Sequence, residues 1–256
     1  MTTTDERFQR LLDDARRDPE VIGVVLSGSR GKGFGTPNSD YDLYVVVQEE
    51  ISEECWLRLD GYNKDGIELG VWPLSMFEAC SAWGTEHAWN RYAFANVAVP
   101  VDKTGRIQQL VDEKEFVPDE HRLALIKESL GAYTNSLYRS LKCLQRGDRL
   151  GARLEAADAV GSALTAVFAL EGRHRPFNGY LERELRHYPL QSFPLNPDEL
   201  LAIITRILDD ANAETQQRLL AVVEPLGRAA GCDYEFDEWG ERFDWMKRYR
   251  PAGTPE

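Results

Sequence analysis

The chain has 256 residues, 43% of them hydrophobic and 29% charged, which suits a folded globular protein and is too apolar for a disordered one. Its 43 Asp and Glu residues outnumber 30 Lys and Arg, a formal net charge of −13 that repels nucleic acid and favours small neutral or cationic partners. The polar, acidic start lacks the basic and apolar regions of a signal peptide, and no apolar window is long enough to span a membrane, so a cytoplasmic protein is expected.

Residues Asp5 to Arg17 carry Phe8, Leu11 and Leu12 at helical spacing, so a short amphipathic helix opens the chain. Val21 to Leu26 is a continuous apolar, β-branched run and reads as a buried strand. A glycine-rich stretch from Gly28 to Asp40 follows, then Tyr41 to Val47 as a second buried strand and Gly66 to Pro73 as a third. Ser75 to Trp83 and Glu86 to Ala95 read as helices, and Val97 to Val101 as a short extended piece. Strands interleaved with helices predict an α/β (α+β) domain built on a mixed sheet.

After Pro118 the character changes. Ile126, Leu130, Tyr133, Leu137, Leu141 and Leu144 recur at steps of three and four, which predicts one long helix broken at Gly147 and Asp148. Leu150, Leu154, Ala157, Val160, Leu164 and Val167 continue the period in a second helix that stops at Gly172. Pro189, Pro194 and Pro197 interrupt, and Asp198 is placed to cap a further helix containing Leu201, Ile204 and Leu208. The expected organisation is the α/β domain over residues 1–117 followed by an all-α helical bundle over 118–256.

Cys55, Cys80, Cys143 and Cys232 form no CxxC pair, and His87, His121, His174 and His187 form no HExxH pattern. Neither a disulfide framework nor a zinc site is expected. Asp40 and Asp42 sit two apart at the mouth of a strand, so both carboxylates project from one face. Such a pair suits Mg²⁺, which takes carboxylate oxygens and shares its shell with water and phosphate. Taken alone, a D-x-D at a strand entry is more often a solvated turn than a metal site. The segment before it argues otherwise: Gly28 permits close backbone approach to a ligand, Ser29 offers a hydroxyl and an N–H, and Arg30 and Lys32 add positive charge.

The run from Gly28 to Val47, GSRGKGFGTPNSDYDLYVVV, resembles the signature of the DNA-polymerase-β-type nucleotidyltransferase superfamily, in particular its aminoglycoside and lincosamide nucleotidyltransferases. The resemblance implies a nucleotidyltransferase fold with a helical C-terminal domain, and transfer of AMP from ATP, with Mg²⁺, to a hydroxyl of a small molecule such as an aminoglycoside-like antibiotic. It also implies nucleotide binding by Gly28, Ser29, Arg30 and Ser39, metal binding by Asp40 and Asp42, and a third carboxylate on a neighbouring strand. Glu68 is the candidate, as a metal ligand or as the base for the acceptor; Asp65, beside Gly66, is the fallback and reads more readily as a turn residue. GxxxxGK[ST] and GxGxxG are both absent, which excludes a P-loop and a Rossmann turn.

In the helical half the resemblance points to Lys142, then Arg139, as basic residues that reach the triphosphate; a solvated basic face explains them nearly as well. Glu155 and Asp158 share a helix face and would suit the ammonium groups of a cationic acceptor. The segment from Arg175 to Arg186 is similar to one in relatives that carry a lysine where this chain has Gly179, which puts that nucleotide contact in doubt. Trp239 and Trp245 read as core residues before cleft residues. A protein-modifying adenylyltransferase of the toxin–antitoxin kind and a catalytically silent nucleotide-binding regulator are the alternative readings. The expected state is a monomer or homodimer, with no nucleic-acid or membrane partner.

Overall fold

The computed structural model describes residues 3–50 and 56–251, and the chain divides into two units, Met1–Phe116 and Val117–Glu256. Cys55 lies outside the described residues, and the other three cysteines are free thiols.

In the first unit α1 (Thr4–Arg17) opens on a capping box between Thr3 and Glu6. Then follow β1 (Val21–Leu26), the four-residue helix α2 (Gly28–Gly31), β2 (Tyr41–Val47), β3 (Tyr62–Lys64) and β4 (Ile67–Pro73). Next come α3 (Leu74–Ala79), a 3-10 helix at Ala88–Phe94, β5 (Ala98–Asp102) and α4 (Arg106–Glu115). The five strands form one mixed sheet in the order β3-β4-β2-β1-β5, with β2 and β4 parallel and the other neighbours antiparallel.

The period-two alternation of β2 and β4 sorts their side chains onto two faces. Tyr41, Leu43, Val45 and Val47, with Ile67, Leu69 and Val71, bury one face against Phe8, Leu12 and Ala15 of α1. On the other face Tyr44 packs against Trp72 and Phe94, with ring centroids 4.5 and 5.9 Å away. Phe77 meets Phe94 edge to face at 5.7 Å. Asp42 and Glu68 project from this second face, one strand step before the aromatic shelf.

Four elements differ from the sequence reading. The segment from Glu86 to Ala95 winds as a 3-10 helix over Ala88–Phe94, and α3 ends at Ala79. The edge strand β3 is short, and its Tyr-Asn-Lys sequence gives no apolar signal. The helix α4 follows a turn in which the Asp102 carboxylate accepts from the N–H groups of Thr104, Gly105 and Gln108 at 2.8 to 3.1 Å.

The second unit is all helical: α5 (Asp119–Gln145), α6 (Arg149–Leu170), a 3-10 turn at Asn178–Tyr180, α7 (Leu181–His187), α8 (Pro197–Asp210), α9 (Ala213–Ala229), α10 (Tyr234–Asp237) and α11 (Glu241–Arg248). Asp148 caps α6 by accepting from Gly151 N–H at 2.8 Å. Buried Ala152, Ala156, Ala159, Ala163, Ala166 and Ala169 let neighbouring helices approach α6 closely, which makes it the central helix. The cap of α8 is Asn196, not Asp198: Pro197 takes the first helical position, and Glu199 closes a capping box with Asn196. Among the described residues no helix is long and apolar enough to cross a membrane.

Candidate active site

The turn after β1 and the start of β2 are built against each other. Ser27 N–H donates to Asp42 O at 2.8 Å, closing the ends of the two strands. Gly28 follows at φ +58°, and a Cβ there would lie 1.6 Å from Asp42 Oδ2. Only glycine leaves room for that carboxylate against the turn. Ser29 is half-buried, and its hydroxyl has no hydrogen-bond partner among the described residues.

Asp42 stands in register with Glu68 on the parallel neighbour β4, so both side chains project from the same face. Asp40 is exposed at the mouth of β2, where Tyr41 N–H donates to Gly66 O at 2.9 Å. The Asp42 carboxyl is held above the usual carboxylate range, first by burial and then by the negative charges of Glu68 and Asp40. Glu68 is exposed, and its Oε2 accepts from Asn63 Nδ2 at 3.3 Å. Tyr44, two residues along the same face, has its phenol pushed up to about 12 by burial, then by Cys80, Asp42 and Glu68. The charges of Glu68 and Asp40 thus converge on Asp42. Among the described residues, no three His, Cys, Asp or Glu side chains are already arranged as a ligand set for a metal.

Asp65 occupies a left-handed turn position (φ 58°), and its Oδ2 pairs with Arg7 Nη1 at 2.6 Å. Thr4 Oγ1 donates to Asp65 O at 3.2 Å, so this residue ties the β3–β4 turn to α1. Arg30 and Ser39 shape the glycine-rich loop. Arg30 Nε donates to Ser39 O at 2.7 Å, and its guanidinium lies 4.2 Å from the Tyr41 ring centroid. Ser39 Oγ accepts from Thr36 N–H at 2.9 Å.

The expectation that Lys32 adds charge beside the turn is corrected by its burial, with 2% exposure. Its ammonium enters the unit's interior, donating to Tyr92 O at 2.7 Å and also to Ala95 O, with Nζ 4.1 Å from the Tyr92 ring centroid. No local pattern signals this, because the acceptors lie about sixty residues away.

In the second unit, Arg139 Nη2 and Glu155 Oε1 form an ion pair at 2.5 Å, which joins two residues that the sequence reading gave separate roles. Lys142 Nζ donates to Gln145 Oε1 at 2.6 Å and lies 5.4 Å from the Trp245 ring centroid. Asp158 is exposed on α6. Trp239 and Trp245 pack on Tyr138, with centroids 5.3 and 5.7 Å away, as part of the helical core. Gly179 lies in open space, and Arg175 Nη2 donates to Asn178 Oδ1 at 2.6 Å in the same segment.

Residues 9–89 match a family model described as a nucleotidyltransferase domain, and residues 87–181 match one described as a domain of unknown function (DUF4037). No curated protein matches the chain. Among solved structures, the chain is similar to a nucleotidyltransferase-like protein from Exiguobacterium sibiricum 255-15. The two are 14% identical with a TM-score of 0.43, over 93% of this chain and 80% of the other.

Proposed function

From a chain whose residues 9–89 form a nucleotidyltransferase domain, fitting the DNA-polymerase-β-type superfamily, we propose an enzyme that moves AMP from ATP to a hydroxyl of a small acceptor. The observation that carries the proposal is Asp42 in register with Glu68 on one sheet face, its carboxylate against the Gly28 turn, with the charge of Asp40 at the strand mouth helping to raise it.

The donor set suits Mg²⁺. It is all oxygen, its crowded carboxylates gain from a cation between them, and Mg²⁺ is commonly held by one or two carboxylates with water and phosphate completing its shell. Asp40 and Asp42 would hold the ion, and Glu68 would hold a second one if it acts as a ligand. Bound there, the metal supplies neutralisation of the phosphate charge.

The chain's own residues do the rest. Gly28 lets the backbone of the turn approach the triphosphate, and Ser29 offers its hydroxyl and N–H to it. The acceptor oxygen bonds to the α-phosphorus as the bond from that phosphorus to the bridging oxygen breaks, and pyrophosphate leaves with the electron pair. Glu68 accepts the proton of the acceptor hydroxyl. Catalysis in this scheme is mostly placement and charge neutralisation.

The net charge of −13 and the exposed Asp158 favour a small cationic or neutral acceptor, an aminoglycoside-like amino sugar being the class that fits best. The test is incubation with Mg²⁺ and ATP labelled in its α-phosphate, against a panel of amino sugars, other hydroxyl compounds and proteins. Label on a small molecule, lost in Asp42→Asn, is the expected result. Label on protein alone would put the protein-modifying reading in its place, and no transfer to any acceptor counts against an enzyme.

A further inference from the structure

Three cations of the first unit, Lys32, Arg91 and Lys114, are buried, with exposures of 2%, 5% and 5%. All three donate to backbone carbonyls, and two of them act on the same element. Lys32 Nζ bonds Tyr92 O and Ala95 O at the end of the 3-10 helix Ala88–Phe94. Ser27 Oγ donates to Ala93 O, between them, at 3.0 Å. The turn that carries Gly28 and Ser29 is thus anchored to one short platform at both ends, residue 27 and residue 32.

The platform is itself fixed. Arg91, in the same 3-10 helix, donates to Ser81 O at 3.2 Å, Glu113 O at 2.5 Å and Phe116 O at 3.1 Å. Lys114 instead ties α4 to the end of α3, through Glu78 O at 2.9 Å and Cys80 O at 2.7 Å. Burying an ammonium is costly, and surface placement of a lysine is the ordinary outcome. A burial cost accepted at Lys32 secures the segment whose geometry must match a triphosphate, and the anchor reaches from the nucleotidyltransferase match at 9–89 into the second match at 87–181.

We propose that Lys32 is a positioning residue for the nucleotide: through Tyr92 and Ala95 it holds the Gly28–Ser29 turn in its triphosphate-binding geometry. This rests on the nucleotidyltransferase reading above. The side chain acts through the turn and touches no substrate.

The test uses the full chain and ATP with Mg²⁺ as the probe, with affinity measured by calorimetry so that no acceptor is needed. Wild type, Lys32→Met and Lys114→Met are compared, each with its melting temperature. Lys114→Met removes another buried, carbonyl-bonded cation, one that lies 5.8 Å from the Phe94 ring centroid but donates to Glu78 O and Cys80 O and not to the carbonyls that hold the turn. Lys32→Met is expected to weaken ATP about tenfold, whereas Lys114→Met lowers the melting temperature and leaves affinity within about twofold. Equal affinity in wild type and Lys32→Met, or equal loss in both variants, would overturn the proposal and leave Lys32 a stabilising residue only. A wild type that binds no ATP would remove the nucleotidyltransferase reading, and this proposal with it. If Lys32→Met does not fold, Ser27→Ala removes the other anchor to the same platform. A weaker ATP affinity in that variant supports the proposal, and an unchanged one overturns it.

Discussion

Asp42 and Glu68 face the same side of the sheet from adjacent parallel strands, in register, and the charge of Glu68 helps to raise the Asp42 carboxyl. That relation singles out Glu68 over Asp65, whose carboxylate pairs with Arg7 in a surface turn. Glu68→Gln is expected to lower kcat by about a hundredfold while ATP affinity stays near that of wild type. Asp65→Asn loses one exposed ion pair, worth at most about 1 kcal/mol, and keeps its activity. Steady-state kinetics on both variants decide it. An essential Asp65 with a dispensable Glu68 would mean the third acid is misplaced.

The raised Asp42 pKa has a pH consequence. Protons bind more tightly to Asp42 in the folded chain than in the unfolded one, where the carboxyl titrates near about 3.9. Its contribution to stability is therefore complete below that value and is lost as pH rises through the higher folded pKa. In metal-free buffer the melting temperature of the wild type should fall over this window relative to Asp42→Asn, which has no such proton to lose. Parallel melting curves in a chelator, collected from about pH 4 to pH 7, check the sign. Identical pH profiles for the two proteins would show that Asp42 carries no such strain.

Gly28 gives a steric prediction. A methyl group there meets Asp42 Oδ2 at 1.6 Å, and the φ of +58° disfavours any L side chain. Gly28→Ala should lose about 1–2 kcal/mol or more of stability and displace Asp42 enough to cut turnover at least about tenfold. Gly33, at φ +75°, has open space where a Cβ would go, so Gly33→Ala bears the backbone cost alone. Denaturant melts and turnover for the pair separate the two contributions. Equal behaviour would refute a special contact at Gly28.

Legibility in the sequence followed the range of the interactions. β1 and β2 begin and end where their apolar, β-branched runs do, because buried strands read as near-continuous apolar runs, interrupted in β2 by Asp42. The close approach of the Gly28 turn to Asp42 was legible as well, because both residues lie in one short stretch of the chain. Lys32 was not visible, for a lysine between two glycines looks like a surface charge until the carbonyls of Tyr92 and Ala95 are folded against it. The Arg139–Glu155 pair joins two helices, and each residue alone looks like a solvated charge. β3 is too short and polar to carry a period, and it is held by its hairpin with β4.

The ion pair on α5 and α6 sharpens what a cationic acceptor would require. Glu155 is 16% exposed and already neutralised by Arg139 at 2.5 Å, whereas Asp158 is exposed and makes no ion pair among the described residues. An ammonium group would have to displace a guanidinium from Glu155 but could meet Asp158 directly. Asp158→Asn is therefore expected to raise the acceptor KM by about three- to tenfold, with Glu155→Gln weaker in effect and the ATP KM unchanged in both. Raising ionic strength should mimic Asp158→Asn, since an exposed pair is screened over about 8–10 Å at moderate salt. The measurement is acceptor KM at two salt concentrations for wild type and both variants. An acceptor KM that ignores both salt and Asp158 would mean that the acceptor is not held by charge on α6.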